Sequence, residues 1–153
     1  MNSEQKFSVL AECKEQSDPL IMVNLNFARL IDDIVKPFQS DEPFFIDGVP
    51  LKRDSLKKIK IVKQTNLFNS EFYNMNSNLR RADSQKQKVI GDQYYLRVEA
   101  LLRELGEDVT SQIIKAFDTE IKPRLKDYLP NRKELIEAAL QVFLKGMQAL
   151  GGT

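Results

Sequence analysis

Apolar positions recur every three or four residues along most of this chain, which is the spacing of an amphipathic helix. The first such segment begins at Asp18-Pro19, where Asp can cap a helix and Pro is tolerated at the first helical position. Its apolar stripe ends at Phe38. Residues 1–17 are polar with a few apolar positions. The pattern therefore predicts a helix over 18–38, preceded by a short helix or a loose arm.

A different pattern occupies residues 43–64. Within 44–51, two short apolar runs flank Asp47 and Gly48, a pair that suits a two-residue hairpin turn with positive φ. Lysine and isoleucine then alternate through 58–61, which is the period of a strand. We predict a small antiparallel sheet of two or three strands, with its inner face on helices and its outer face basic.

Helical spacing returns in the second half of the chain. Steps of three and four run through 72–100, where Gly91 offers a break. A further helix is predicted over 108–129, with Pro123 bending or restarting it. The last helix begins near Asn131 and is apolar on two sides, which is typical of a helix in the core or shared with a partner.

These patterns together predict a mainly α protein. We expect a helical bundle of four to six helices, with a small antiparallel β-hairpin or sheet inserted near residues 43–64. Since no linker is long enough to divide the chain, 1–153 is predicted to be a single domain, with 1–17 as its arm. A hydrophobic content of 42% is enough for a real core.

The composition excludes several chemistries. The chain has no histidine and one cysteine, Cys13, so neither His-based catalysis nor a zinc site within one chain is expected. Its six glycines form no phosphate-binding loop. We therefore predict no catalytic residues, no metal, no cofactor and no enzyme activity. The distant alternative is an enzyme that uses carboxylates and a metal ion.

The cellular location is predicted from missing signals. No apolar run approaches the roughly 20 residues of a membrane span, and the N-terminal residues lack the apolar core of a signal peptide. A single cysteine gives no intramolecular disulfide. A cytoplasmic protein without a membrane contact is expected.

Charge is spread unevenly along the chain, although the net charge is only +1. Residues 1–51 carry a net −5 and residues 52–97 a net +7. The middle third could therefore contact nucleic acid or an acidic protein, and lysines also protect edge strands from aggregation. The candidate residues for an anionic partner are Lys52, Arg53, Lys57, Lys58, Lys60, Lys63, Arg80, Arg81, Lys86 and Lys88.

Two apolar stripes are candidates for self-association, the heptad rhythm of 72–100 and the last helix. Packing inside a single bundle is the alternative interpretation. The candidate residues are Phe72, Met75, Leu79, Val89, Leu96, Ile136, Leu140, Phe143 and Met147.

The segment 43–65 reads PFFIDGVPLKRDSLKKIKIVKQT and covers 23 of the 153 residues. It resembles hairpin segments of small accessory or effector-associated modules of prokaryotic antiviral defence systems. The resemblance implies an adaptor or sensor rather than a catalytic part. The expected function is thus a non-catalytic, self-associating helical module that binds a protein partner, and nucleic-acid binding by the basic residues is the alternative.

Overall fold

The computed structural model describes residues 5–83, 85, 88 and 93–151, without the side chains of 148–151. The strands in this part of the chain are β1 (Phe7–Cys13), β2 (Leu20–Leu25), β3 (Phe44–Ile46), β4 (Val49–Leu51), β5 (Leu56–Lys63) and β6 (Glu107–Asp108). The helices are α1 (27–39), α2 (Asn66–Arg81), α3 (Tyr94–Leu105), α4 (Thr110–Glu120) and α5 (Tyr128–Gly151). Helix α1 is α-helical at both ends and π-helical over Ile31–Val35. Short 3-10 turns lie at Arg53–Ser55 and Lys122–Asp127.

The architecture is mixed α/β, so the prediction of a mainly α helical bundle is wrong. Four strands form an antiparallel sheet in the order β2-β1-β5-β6. Strands β3 and β4 form a separate two-stranded sheet. The sheet extends well beyond residues 43–64, because two of its strands come from the first 25 residues of the chain.

Strand β1 was missed because it is buried on both faces. Phe7, Val9 and Ala11 belong to one core, whereas Leu10 belongs to another. A strand covered on both sides has no alternation of polar and apolar residues. The segment predicted as a short helix or a loose arm therefore contains an inner strand of the sheet, which pairs with β2 and β5.

The predicted first helix is wrong over residues 18–26, which are nine of its 21 residues. Residues 20–25 form β2, and the helix begins only after Asn26, whose side chain accepts a hydrogen bond from the Arg29 N–H at 2.8 Å. Asn24 has a positive φ of 63° and lies where the pairing of β2 with β1 shifts register, before Leu25 pairs with Phe7. The apolar spacing fitted a helix because Val23, Phe27 and Leu30 keep intervals of four and three residues across this boundary.

Helices cover both faces of the sheet and create two separate cores. The main core lies between the sheet, α1, α4, α5 and the β3–β4 hairpin. The second core lies under α2 and α3 and is smaller. Its buried members are Leu10, Ile21, Val62, Phe68, Val98 and Leu102.

The predicted hairpin is present over residues 44–51. Its register pairs Phe44 with Leu51 and Ile46 with Val49, and the turn residues Asp47 and Gly48 both have positive φ. Strand β5 was expected beside this hairpin, but it pairs with β1 instead. The lysines of β5 therefore lie on the four-stranded sheet and not on a sheet with the hairpin.

Several boundaries of the later helices also differ from expectation. Helix α2 begins after Thr65, whose hydroxyl accepts a hydrogen bond from the Phe68 N–H at 3.1 Å. The expected break at Gly91 lies outside the described residues. Pro123 lies in the first turn of the 3-10 segment that follows α4, as predicted. Asn131 has non-helical backbone angles (φ −112°, ψ 19°) that kink α5, so the last long helical segment starts after it, as predicted, and one further helical turn precedes it. Among the helices described, none is both long and apolar enough to span a membrane.

Candidate functional site

The predicted basic residues near β5 fall into two groups. Lys57 and Lys58 are exposed at the start of the strand, as are Lys52 and Arg53 before it. Lys60 and Lys63 are half-buried further along. The two groups therefore differ in their access to a partner.

The half-buried group lies against acidic residues of β6. The Lys63 Nζ is 3.8 Å from the Glu107 carboxylate. Burial acts to raise the pKa of Asp108, but hydrogen bonds from Thr110 and the charges of Lys60 and Lys58 hold it below its usual value. The positive charges of Lys60 and Lys63 are thus balanced by acidic side chains of the same molecule.

The remaining basic candidates lie on or after α2. Arg80 and Arg81 are exposed in its last turn, and Lys88 is also exposed. Lys86 lies outside the described residues. These side chains face solvent, so an anionic partner could reach them.

The self-association candidates differ in burial. Leu140 and Phe143 are buried in the main core, with Ile136 and Met147 half-buried against it. Phe72 and Met75 pack against the second core, and Leu79 is half-buried. Val89 lies outside the described residues. Leu96 differs from all of these because its side chain is 59% exposed.

Leu96 lines a cavity of about 300 Å³ that sequence reasoning did not find. We call it the α3–hairpin pocket, because it lies between the start of α3, the start of β2 and the hairpin turn. Its lining residues are Gln16, Asp18, Pro19, Leu20, Ile21, Asp47, Tyr95, Leu96 and Glu99. They come from three separate segments, so no local motif signals the pocket.

Hydrogen bonds and ring contacts fix the aromatic wall of this pocket. The Tyr95 hydroxyl donates to the Asp47 carboxylate, and this bond raises the pKa of Tyr95 by favouring its protonated form. Tyr94 packs edge-on against Tyr95, with ring centroids 5.6 Å apart. The Tyr94 hydroxyl in turn donates to the Asn76 side chain at 3.1 Å. The Tyr95 ring is therefore held in place although the residue is 53% exposed.

The pocket carries uncompensated negative charge. Glu99 is neutralised by Arg103, with 2.8 Å between the guanidinium and the carboxylate. Asp18 and Asp47 form no ion pair with any Lys or Arg of the described part of the chain. Two carboxylates thus remain beside an exposed aromatic ring and an exposed leucine.

A second cavity of about 350 Å³ adjoins the first, since Gln16 lines both. It includes Cys13, a buried thiol whose pKa is raised by burial. Pro50 and Ser55 also line it. Across the residues that the structure describes, no group of three or more Cys, Asp or Glu side chains is arranged to hold a metal ion.

Comparison with known proteins gives no relative, since no family model, curated protein or solved structure matches this chain.

Proposed function

We propose that this chain is a protein-interaction module that binds a basic side chain of a partner in the α3–hairpin pocket. The observation that carries the proposal is the exposure of Tyr95 and Leu96 beside the carboxylates of Asp18 and Asp47. A lysine or arginine has an apolar stem and a cationic end, so it can use both kinds of wall at once.

Each part of the wall favours such a guest. Leu96 and the Tyr95 ring offer apolar surface, and their burial against a methylene stem is favourable at about 25 cal/mol per Å². A cation near Asp47 and Asp18 makes charge-assisted hydrogen bonds, which are stronger than neutral ones. Tyrosine is also enriched at interfaces because it buries a large ring and keeps a polar tip.

The adaptor function is the one expected from the sequence, but its contact surface is the acidic α3–hairpin pocket and not the basic residues. The likeness of residues 43–65 to accessory modules of defence systems supports a partner-binding part, and this segment supplies Asp47 to the pocket. The carboxylates of Asp18 and Asp47 beside an apolar wall support a receptor for positive charge. The basic stripe of β5 is then a separate surface.

The test uses a minimal guest with a matched control. Nα-acetyl-lysine methylamide is titrated into the isotopically labelled protein, and amide shifts are followed by NMR. We expect saturable shifts that cluster at residues 18–21, 47 and 95–99. The same compound acetylated on Nζ keeps the stem but loses the charge, so it should produce much smaller shifts.

Substitutions of the pocket carboxylates test whether the NMR shifts arise from binding in the pocket. Asp18→Asn with Asp47→Asn should abolish the clustered shifts, whereas Asp118→Asn with Asp127→Asn, which lie on and after α4, should preserve them. Shifts scattered over many carboxylates, or equal shifts with the neutral compound, would refute the proposal.

A further inference from the structure

The acidic pocket and an exposed basic patch lie at the same end of the sheet. Ala11 pairs with Leu20 and Cys13 pairs with Leu56, so β1 ends where β2 and β5 begin. The Lys14 N–H donates to the Ser55 carbonyl at 3.0 Å and holds the two chain segments together. The α3–hairpin pocket and the start of β5 are therefore neighbours.

We call the basic patch the basic sheet end, and it consists of Lys14, Lys52, Arg53 and Lys57, all exposed. In the part of the chain that the structure describes, none of the four forms an ion pair. The Arg53 guanidinium lies over the Phe38 ring at 4.7 Å from its centroid, which fixes its direction. Glu15 and Asp54 are also exposed in the same stretch, so the patch holds four cations and two anions and keeps a net charge of +2 beside the acidic pocket.

An apolar strip lies between the two charged regions. Phe45 and Pro50 face each other across the β3–β4 hairpin and project from its exposed face, where Phe45 is 60% exposed. The hairpin turn at Asp47 borders the acidic pocket, while Pro50 lines the second cavity beside Lys14. An apolar centre with charged flanks is the usual composition of a protein interface.

We propose that two copies of this chain associate about a two-fold axis that passes near this hairpin. The basic sheet end of each copy then enters the α3–hairpin pocket of the other, and Phe45 of both copies lies at the centre. Adjacent patches of opposite sign on one face are self-complementary under a two-fold rotation, so the contact closes as a dimer. A net charge of +1 adds little repulsion between copies.

This inference rests on the proposed function, because it names the chain itself as the source of the basic guest. The dimer is tested by sedimentation velocity over a range of protein and salt concentrations. Wild-type protein should dimerise, and the dissociation constant should rise with salt because exposed ion pairs are screened.

Charge reversal gives the sharpest test. With the exposed Glu15 and Asp54 counted, Lys52→Glu with Lys57→Glu changes the basic sheet end from +2 to −2, so both patches of that variant are acidic. Asp18→Lys with Asp47→Lys makes both patches basic. Each variant alone should dimerise at least about tenfold more weakly. An equimolar mixture of the two should restore the dimer, since both contacts are again complementary. Phe45→Ser should also weaken the wild-type dimer.

A matched control changes charge elsewhere. Lys122→Glu with Lys126→Glu alters the net charge equally on an exposed turn and should leave the dimer unchanged. A strictly monomeric wild type, or a mixture that stays monomeric, would overturn the dimer while leaving the lysine titration above as a separate result. Salt-sensitive binding of a DNA oligonucleotide by a monomer, lost in Lys52→Glu with Lys57→Glu, would assign the basic patch to nucleic acid instead.

Discussion

At the scale of single residues, Gln64 joins three elements inside the protein. It is only 2% exposed, and its Oε1 accepts from the Ser8 hydroxyl at 2.6 Å and from the Asn24 N–H at 2.8 Å. Its Nε2 donates to the side chains of Asn24 and Asn69 at 2.9 and 3.0 Å. The amide therefore uses all of its hydrogen-bonding capacity and ties β1, β2 and α2 together.

Replacing Gln64 should be costly because Ser8 is buried, although Asn24 and Asn69 are exposed residues. Gln64→Leu removes the partner of the buried Ser8 hydroxyl, which costs about 1–3 kcal/mol, and it also removes the bonds to Asn24 and Asn69. We expect the free energy of unfolding to fall by roughly 2–4 kcal/mol, measured by urea denaturation and circular dichroism.

Ser8→Ala is the control for this prediction. It removes one donor while Gln64 keeps its bonds to Asn24 and Asn69, so a loss of about 1 kcal/mol is expected. Equal losses in the two variants would show that the network around Gln64 adds nothing to the single hydroxyl bond.

At the scale of elements, the end of α3 depends on close contact with the sheet. The Gly106 N–H donates to the Leu102 carbonyl at 3.0 Å and closes the helix. A Cβ at Gly106 would lie 2.3 Å from Cγ1 of Val62 and 2.6 Å from the Leu102 oxygen. Because glycine has no Cβ, the end of α3 can pack directly against β5.

Gly106→Ala should therefore lower the free energy of unfolding by about 1–3 kcal/mol, the usual cost of overpacking a well-packed site. Gly146→Ala in α5 is the matched control, because its Cβ would meet nothing within 4 Å. Since alanine is the better helix former, this variant should be unchanged or up to about 1 kcal/mol more stable. Thermal and urea denaturation of both variants would check this, and a harmless Gly106→Ala would contradict the close contact.

At the scale of the whole molecule, the sheet couples the two cores. Strand β1 contributes Phe7 to the main core and Leu10 to the second, and β5 contributes Ile61 and Val62 in the same way. If either core unfolded together with β1 and β5, the residues that these strands contribute to the other core would be exposed. We therefore expect one cooperative unfolding transition.

Truncation in either core should shift that single transition. Phe143→Ala in the main core should cost about 3–5 kcal/mol and Leu102→Ala in the second about 2–5 kcal/mol. Far-ultraviolet circular dichroism and tyrosine fluorescence should report the same midpoint in each variant. The exposed Leu96→Ala is the control, with an expected change within about 0.5 kcal/mol. A second core that unfolds before the main one would separate the two probes and contradict the coupling.

The success of sequence reasoning depended on whether a signal was local. The Asp47-Gly48 turn and the bend at Pro123 were predicted, because backbone preferences of these residues act over a few positions. Strand β1 was not predicted, because its assignment depends on helices from distant parts of the chain that cover both of its faces. The α3–hairpin pocket was missed for the same reason, since Asp18, Asp47 and Tyr95 meet only after folding.

The sequence by itself determined where the chain turns, which later segments become helices, and how its charges are distributed. The tertiary structure decided that residues 7–13 and 20–25 are strands and that the lysines of β5 divide into a balanced group and an exposed one. The physical reason is that turn and helix preferences arise from neighbouring residues, whereas strand pairing and pocket formation depend on contacts between residues far apart in the chain.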